Sequence, residues 1–386
     1  MNNFIYGNKT KVYFGEGCAK EYLTCLLKKY GDHVMLAYGG GSVKENGVYD
    51  EIVGYLNDAG KIVTEFSGIM PNPTYAKVQE GAKLAKENTV DLILAVGGGS
   101  VIDCCKIISA QAKADGDIWT MEFEQHSYPT EFIPMIAIVT AAGTGAEMNN
   151  GAVITNEEKK IKAGVLGAQA DVAMLDPMYM MSLPMQQVIS GAFDTLSHCM
   201  ETYFGKPNEN NLSDDINEAI MRSVIRNMRV LLADPKSYDA RSELMWASSM
   251  GENGILKIGK VTDFQCHQLE HQLGAYTDCN HGRGLAVIHP VLYRHIYKEN
   301  PAKFARFAAN VWGVATDGKT EDALALAGIE ALAAFIREMG LPVTFREMGI
   351  MDNSFFKAVA DSTNITAGCC KKLTKEELLD ILNECF

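Results

Sequence analysis

The chain has 386 residues, is 47% hydrophobic and 22% charged, and carries a formal net charge of −13. This size and apolar content favour two domains over one, and the acidic balance argues against broad binding to a nucleic-acid backbone. Because no apolar run reaches the length of a signal peptide or membrane span, and the ten cysteines include no C-x2-C pair, we expect a cytoplasmic protein with reduced thiols and no membrane association.

The first half of the chain alternates short apolar runs with helical stretches. An edge strand is expected within the first fifteen residues. Further strands are predicted at 33–38, 61–66, 91–96 and 132–139, and helices at 49–59 and 75–87. Near-continuous apolar strands that alternate with helices indicate a parallel sheet covered on both faces.

The pattern changes at Pro184, a residue that suits the first turn of a helix. Beyond it the apolar period is helical, over 186–203, 214–232, 241–256, 262–273 and from 285 to the C-terminus. We therefore expect an α/β N-terminal domain with a parallel, Rossmann-like sheet, residues 1–184, and an all-helical C-terminal domain, residues 185–386.

Two glycine-rich turns each follow a predicted strand and open a predicted helix. They are Gly39, Gly40, Gly41 and Ser42, and Gly97, Gly98, Gly99 and Ser100. Glycine lets the backbone approach a phosphate closely, and helix N-terminal amides favour an anion. Neither turn is the G-x-G-x-x-G fingerprint, and one such turn alone is equally compatible with a tight connection that binds nothing. Two of them at the carboxyl ends of parallel strands favour a nucleotide, because open α/β sheets bind ligands at that edge.

Two features near the turns are compatible with a cofactor and with simpler structural roles. Asp103 and Lys106 follow Ser100 by three and six residues. They could flank a cofactor, or they could be an acid that complements the helix dipole and a surface lysine, and the surface interpretation is preferred for Lys106. Segment 140–147 contains small and hydroxyl side chains that suit packing against a ribose or a flat ring, although an ordinary loop has a similar composition.

The histidines of the second half suggest a metal site. Asp194 and His198, and likewise His267 and His271, have the i, i+4 spacing that places side chains on one helix face. His281 follows ten residues after His271, in an expected loop. One carboxylate with several imidazoles suits Fe²⁺ or Zn²⁺ and does not suit the oxygen-only shells of Ca²⁺ or Mg²⁺. The alternative for the first pair is a solvated helix face made of Ser190, Asp194, Ser197, His198 and Glu201.

Together these features resemble the iron-containing (group III) alcohol dehydrogenase family, nearest to its branch of NADPH-dependent butanol dehydrogenases and aldehyde reductases. The resemblance spans essentially the whole chain and rests on 97–100 with Asp103, segment 140–147, the two i, i+4 pairs, and His281 with Gly282. Ala141 and Ala146 replace a threonine and a serine that are common in the family. The resemblance implies an α/β domain of the kind found in dehydroquinate synthase, a helical domain, and an active site between them.

The resemblance also assigns roles to individual residues. It implies that the metal ligands are Asp194, His198, His267 and His281. His271 would instead lie near the nicotinamide and the substrate, where an imidazole could relay a proton. Gly97–Ser100 would bind the pyrophosphate, with further cofactor contacts from Asn72, Asp103, Thr140 and Lys162.

The activity implied is hydride transfer between a nicotinamide cofactor and a small alcohol or aldehyde such as butanol or butyraldehyde. The metal, Fe²⁺ or Zn²⁺, would act as a Lewis acid, and the protein would be a homodimer. We expect a preference for NADP(H) over NAD(H), because NAD-selective folds often place an acid at the end of the second strand. Here the strand 33–38 runs into the first glycine turn, with Lys44 nearby and no acid before Glu45.

Three other functions compete with this interpretation. The first is another enzyme of the same wider fold, of the glycerol dehydrogenase type or with dehydroquinate-synthase-like lyase chemistry. The second is a metallohydrolase built on the Asp/His cluster, which would leave the two phosphate-type turns unexplained. The third is a binding protein without catalytic activity.

Overall fold

The computed structural model describes residues 2–207 and 211–386. The chain divides into two compact units: one spans Gly7–Pro184, and the other combines residues 2–6 with Met185–Phe386. The predicted domains, 1–184 and 185–386, differ from this division in where residues 2–6 belong. That each unit is an independent domain stays a prediction.

The unit Gly7–Pro184 is built on a parallel sheet of six strands, in the order β1-β8-β5-β4-β2-β3. The strands of the chain are β1 (Lys11–Phe14), β2 (His33–Tyr38), β3 (Ile62–Phe66), β4 (Leu92–Gly97), β5 (Met135–Val139), β6 (Gly151–Asn156), β7 (Ile161–Leu166) and β8 (Val172–Leu175). Every residue of β4 and β5 is buried, because strands covered on both faces need apolar side chains throughout. The predicted α/β fold class is confirmed.

The strands differ most from the prediction at β5, at β6 with β7, and at β8. Strand β5 begins at Met135 and not at residue 132, because Pro134 has no N–H to donate to a neighbouring strand. The antiparallel hairpin of β6 and β7 was not predicted. Strand β8 was also missed; it has only four residues.

Six α-helices accompany this sheet among the described residues: α1 (Cys18–Leu27), α2 (Ser42–Glu45), α3 (Val48–Asp58), α4 (Tyr75–Glu87), α5 (Gly99–Lys113) and α6 (Ile118–Phe123). The two glycine-rich turns therefore lead into different structures. The first opens a helix of only four residues, whereas the second opens the fifteen-residue helix α5.

The other unit is helical. Its described α-helices are α7 (Met185–Tyr203), α8 (Leu212–Ala233), α9 (Tyr238–Glu252), α10 (Gln265–Thr277), α11 (His281–Ile296), α12 (Pro301–Asn310), α13 (Glu321–Glu338), α14 (Phe356–Ser362) and α15 (Lys375–Glu384). Helix α10 begins three residues later than predicted because Phe264, with φ of 56°, lies outside the helical region. Over residues 2–207 and 211–386, no helix combines the length and apolar character that crossing a membrane requires.

Candidate active site

Helix α7 carries three buried polar side chains on one face. Asp194, His198 and Glu201 are successively four and three residues apart, and the three residues are 4%, 9% and 1% exposed. Helical periodicity places them side by side. The solvated helix face considered from the sequence is wrong, because all five of its members are buried, namely Ser190, Asp194, Ser197, His198 and Glu201.

The N-terminus of helix α10 is attached to α7 by hydrogen bonds. Glu201 accepts the backbone N–H groups of Cys266 and His267 at 2.6 and 3.1 Å. The first N–H groups of a helix lack intrahelical acceptors and favour a negative charge, so a buried carboxylate suits this position. The attachment brings His267 next to Asp194.

His281 is the first residue of helix α11. The side-chain oxygen of Asn280 accepts the N–H of Arg283 at 3.1 Å and so caps the helix. The prediction that His281 lies in a loop is therefore wrong, because the cap starts the helix before its apolar period becomes visible. A Cβ on Gly282 would lie 2.2 Å from the carbonyl oxygen of Ser190, so glycine is needed where α11 approaches α7.

These three helices bring the four predicted metal ligands together. Nε2 of His267 and Nε2 of His281 lie 3.5 and 3.4 Å from Oδ1 of Asp194, and donor atoms of the three residues lie within 4.8 Å of one another. Nδ1 of His198 is 3.8 Å from the same Asp194 oxygen, and its ring stacks on that of His267 at 4.5 Å. Their role as ligands stays a prediction.

The chemistry of this cluster fits a divalent metal. Oδ1 of Asp194, Nδ1 of His198 and Nε2 of His267 are buried and have no hydrogen-bond partner among the described residues. A buried polar atom without a partner costs about 1–3 kcal/mol, so convergent unpaired atoms indicate a group that they bind. Carboxylate and imidazole together are donors that Fe²⁺ and Zn²⁺ accept.

The cluster also favours positive charge. Burial raises the pKa of Asp194, but the imidazoles of His198 and His281 outweigh this effect and bring it well below its usual value. Burial lowers the pKa of His267, and the carboxylates of Glu201 and Asp194 reverse this and raise it to about 10. Ionised carboxylates that draw a proton onto a buried imidazole also attract a divalent cation.

Two buried glutamates complete the cluster, and neither was predicted from the sequence to belong to it. Nδ1 of His267 is hydrogen-bonded to Glu201, and Nδ1 of His281 is hydrogen-bonded to Glu270. Glu201 follows His198 by three residues and continues the face of α7 that carries the metal-site residues. That spacing was the available signal, but an exposed polar face has the same pattern.

His271, the predicted catalytic residue, lies one turn after His267 on α10. Its ring centre is 5.9 Å from that of His267 and 5.1 Å from that of His281. His271 is partly exposed, whereas His267 is buried. An imidazole with access to water beside a buried cluster suits proton exchange, and this role stays a prediction.

The second glycine-rich turn packs against segment 140–147. A Cβ on Gly99 would lie 2.3 Å from Oγ1 of Thr144, and one on Gly98 would lie 3.0 Å from Cβ of Ala141. A Cβ at position 99 would force a shift at Thr144, and one at position 98 would crowd Ala141, so glycine suits both positions in this contact. The turn also presents the N–H groups of Gly99 and Ser100 in the first turn of α5, where the helix itself offers no acceptor.

Lys106 is fully buried, so its interpretation as a surface lysine is wrong. Its Nζ donates to the carbonyl oxygen of Gly151 at 2.6 Å and to Oδ1 of Asn149 at 3.0 Å, and lies 3.4 Å from Oδ1 of Asp103. The other oxygen of Asp103 accepts the N–H of Val153 at 2.9 Å. The pair thus joins α5 to strand β6, and a contact of Asp103 with a cofactor stays a prediction.

Two of the other predicted cofactor residues contact each other. Nζ of Lys162, on β7, donates to Oδ1 of Asn72 at 2.9 Å. Asn72 has φ of 52°, a conformation that asparagine tolerates better than most residues. Thr140 is buried, and its N–H donates to the carbonyl oxygen of Gly97 at 3.0 Å, at the second glycine turn. Cofactor binding by these residues stays a prediction.

The first glycine-rich turn, 39–42, lies beside a charged cluster at the carboxyl ends of β2 and β3. Nζ of Lys44 is 3.6 Å from the carboxylate of Glu65 and 4.3 Å from the ring centre of Tyr49. The hydroxyls of Tyr38 and Tyr49 donate to Glu65 and lower its pKa. The expectation of a cation without a neighbouring carboxylate is therefore wrong, because it considered the turn and not the adjacent strand β3.

Both halves of the chain match one sequence family. Residues 9–177 match the family described as iron-containing alcohol dehydrogenase, and residues 188–386 match the C-terminal part of the Fe-containing alcohol dehydrogenase family. The chain belongs to the iron-containing alcohol dehydrogenase family.

Similar proteins carry related names. The chain is 39% identical to the probable NADH-dependent butanol dehydrogenase 1 of Bacillus subtilis, over 99% of both chains. It is 34% identical to the NADPH-dependent aldehyde reductase YqhD of Escherichia coli, over 92% of this chain and 91% of that one. The crystal structure of NADH-dependent butanol dehydrogenase A from Thermotoga maritima has a TM-score of 0.93 at 34% identity, covering 100% of this chain and 99% of that one.

Family membership establishes the general chemistry. The protein is an oxidoreductase of alcohols and aldehydes that uses a divalent metal and a nicotinamide cofactor. These comparisons lend no support to the glycerol dehydrogenase or dehydroquinate-synthase alternatives.

Proposed function

We propose that the protein interconverts small aldehydes and primary alcohols, such as butyraldehyde and butanol, with NADP(H) as the preferred cofactor and Fe²⁺ or Zn²⁺ as the metal. The observation that carries the proposal is the cluster of buried oxygen and nitrogen atoms around Oδ1 of Asp194, which could bind a metal and which include atoms without a hydrogen-bond partner among the described residues. The substrate class is supported by relatives that are named butanol dehydrogenases and an aldehyde reductase.

In this proposal Asp194, His198, His267 and His281 hold the metal. When bound, a divalent metal supplies a Lewis acid for the substrate oxygen. The protein contributes a dry environment, since Asp194 and His267 are only 4% and 3% exposed, and exclusion of water strengthens electrostatic interactions at the centre. His271, which is more exposed, would exchange the proton of the substrate oxygen with solvent.

The cofactor would bind to the α/β unit and supply the hydride. Gly97–Ser100 would contact the pyrophosphate with backbone N–H groups at the start of α5. Asn72 and Lys162, which are hydrogen-bonded to each other, would act as one contact. Asp103 would act by anchoring β6 to α5, and Thr140 by fixing the adjoining strand end.

The preference for NADP(H) depends on whether Lys44 attracts the ribose 2′-phosphate more strongly than Glu65 repels it. Relatives named as NADH-dependent and as NADPH-dependent both occur. Lys44 would attract a ribose 2′-phosphate, whereas the Glu65 carboxylate, 3.6 Å from its Nζ, would repel one. Glu65 is turned toward the hydroxyls of Tyr38 and Tyr49, which would leave the lysine available to the phosphate.

Lys44→Ala and Glu65→Gln are expected to shift cofactor preference in opposite directions. Lys44→Ala removes a charge-assisted contact with the 2′-phosphate and should lower the ratio of kcat/KM for NADPH to that for NADH by roughly tenfold. Glu65→Gln removes a repulsive charge and should raise the ratio. Steady-state kinetics with both cofactors measures it. A wild-type preference for NADH, or a ratio that neither change moves, would contradict the proposed role of this cluster.

The overall function is tested by removing and restoring the metal. The purified protein is treated with a chelator, and NADPH oxidation with butyraldehyde is followed before and after addition of Fe²⁺ or Zn²⁺, with NADH in parallel. Activity should disappear on stripping and return with one of the metals. No oxidation with any combination, in folded and metal-loaded protein, would contradict the proposal that butyraldehyde is a substrate.

We also propose that the enzyme is a homodimer whose reaction partner is a small alcohol or aldehyde. The support for the dimer is the family resemblance alone. Light scattering of the purified protein tests it, and a monomeric mass would contradict it.

A further inference from the structure

The two imidazoles nearest to Asp194 are held in the same way. His267 and His281 each point Nε2 at Oδ1 of Asp194, at 3.5 and 3.4 Å. Each also makes a hydrogen bond through Nδ1 to a glutamate, Glu201 for His267 and Glu270 for His281. The two glutamates are 1% and 0% exposed.

This arrangement fixes which nitrogen of each ring carries the proton. An ionised carboxylate only accepts hydrogen bonds, so Nδ1 must donate, and Nε2 is the nitrogen left to give up its proton and offer a lone pair when a metal is bound. In metal sites, a carboxylate behind an imidazole also fixes the ring orientation and raises its basicity as a ligand. Both effects act here on atoms that converge at one point.

We propose that Glu201 and Glu270 are positioning residues of the metal centre, each aligning one histidine and strengthening it as a ligand. They act through His267 and His281 and do not themselves bind the metal. The inference rests on the proposed function, because it assumes that these histidines ligate. Glu201 and Glu270 would place two further buried negative charges beside the metal centre, whose predicted ligands include only one carboxylate.

The two glutamates differ in the other hydrogen bonds that they accept. Glu201 also accepts the backbone N–H groups of Cys266 and His267, so it secures the start of α10 as well as the histidine ring. Glu270 lies within α10, and its other carboxylate oxygen accepts the thiol of Cys279 at 3.6 Å. Changes at Glu270 therefore test the effect on the metal with less disturbance of the backbone.

Gly284 offers an independent way to disturb Glu270 without changing it. A Cβ on Gly284 would lie 2.9 Å from both Cγ and Oε1 of Glu270. At that distance one of the two must shift, and movement of the Glu270 side chain relative to α11 would disturb its hydrogen bond to His281. Gly284→Ala is thus a second probe of the same contact, with the carboxylate retained.

The test measures metal affinity directly. Wild type, Glu270→Ala, Glu270→Gln and Gly284→Ala are stripped, and Zn²⁺ binding is titrated in competition with a chromophoric chelator. Glu270→Ala is expected to weaken binding by about 10- to 100-fold. Glu270→Gln should weaken it less, since the amide oxygen still accepts from Nδ1, and Gly284→Ala should also weaken it.

Glu218 is the matched control. It is a buried glutamate of the same unit, 4% exposed, that accepts hydrogen bonds from Tyr203 at 2.8 Å and Arg306 at 2.6 Å. Glu218→Gln should lower the melting temperature of the metal-free protein and leave Zn²⁺ affinity unchanged. Equal losses of affinity in Glu218→Gln and Glu270→Gln would mean that general destabilisation is the cause and would overturn the inference.

Other outcomes separate this inference from the proposed function. Wild-type affinity in Glu270→Gln and Gly284→Ala overturns the positioning role while the metal site stands, and these two variants decide the matter if Glu270→Ala does not fold. A wild-type protein that binds no Zn²⁺ or Fe²⁺ overturns the metal site itself, and the inference fails with it. The positioning role is supported if Zn²⁺ affinity is highest in wild type, lower in Glu270→Gln and lowest in Glu270→Ala.

Discussion

Replacing Asp194 with alanine is expected to release the metal and to slow aldehyde reduction by roughly 1000-fold, the rate equivalent of the several kcal/mol that a metal Lewis acid contributes. Oδ1 of Asp194 is the atom on which Nε2 of His267 and Nε2 of His281 converge. Without it, the predicted ligand set contains imidazoles alone and lacks its own negative charge. Asp194→Asn, which keeps the volume of the side chain, should show nearly the same loss if charge is the cause.

His271→Ala provides the contrast to these variants. Because His271 is assigned to proton exchange and not to the metal, its variant should retain the metal while turnover falls or its pH profile changes. Metal content per chain and kcat with butyraldehyde, measured on the same preparations, distinguish the two roles. Full metal and full activity in Asp194→Ala would refute the ligand assignment, and unchanged kinetics and pH profile in His271→Ala would remove that residue from the mechanism.

The apolar pattern predicted both a helix that buries one face and a strand that is buried on both faces. Helix α4 covers Tyr75–Glu87 and strand β2 covers His33–Tyr38, as predicted. The hairpin gave a weaker signal, because the burial of β6 alternates but its sequence does not: Val153 is apolar and partly exposed, whereas Asn156 is polar and buried. Without alternation of apolar and polar residues, a six-residue run does not indicate a half-buried strand.

The polar residues of the site show where sequence patterns stop being informative. The i, i+4 spacing located Asp194 with His198 and His267 with His271, because helix geometry alone relates them. It did not reveal Glu201 as the partner of His267, which is 66 residues away in the chain. Lys106 was misread for the same reason, since a charged residue on a helix gives no sign of whether it meets water or a buried acceptor.

Away from the metal centre, Asp214→Asn is expected to lower the free energy of unfolding by about 3–5 kcal/mol, the range for breaking a buried ion pair. Asp214 is fully buried in the first turn of α8, and its two carboxylate oxygens accept from Lys260 and Lys303, whose side chains are each 1% exposed. Burial lowers the pKa of each lysine, and Asp214 opposes that shift. An amide at this position would leave two buried ammonium groups without the carboxylate that both contact.

Asp215, the next residue, is the matched control. Its side chain is 64% exposed and pairs with Arg306 at 2.7 Å. Exposed pairs contribute about 0–1 kcal/mol, so Asp215→Asn should change stability by no more than that. Urea unfolding of both variants gives the comparison, and equal stability of the two would contradict the prediction.

The pH dependence separates loss of the counter-ion from loss of packing. A lysine whose pKa is lower in the folded than in the unfolded state gives up its proton more readily when folded, so stability increases as pH rises through the folded pKa. In Asp214→Asn the opposing carboxylate is gone, and the pKa values of Lys260 and Lys303 should fall further. A neutral amine needs no counter-ion, so the stability deficit relative to wild type should shrink as the pH is raised from neutrality toward the ordinary pKa of lysine, about 10.4. A deficit that stays constant over this range would mean that the shape of the Asp214 side chain, and not its charge, stabilises the start of α8.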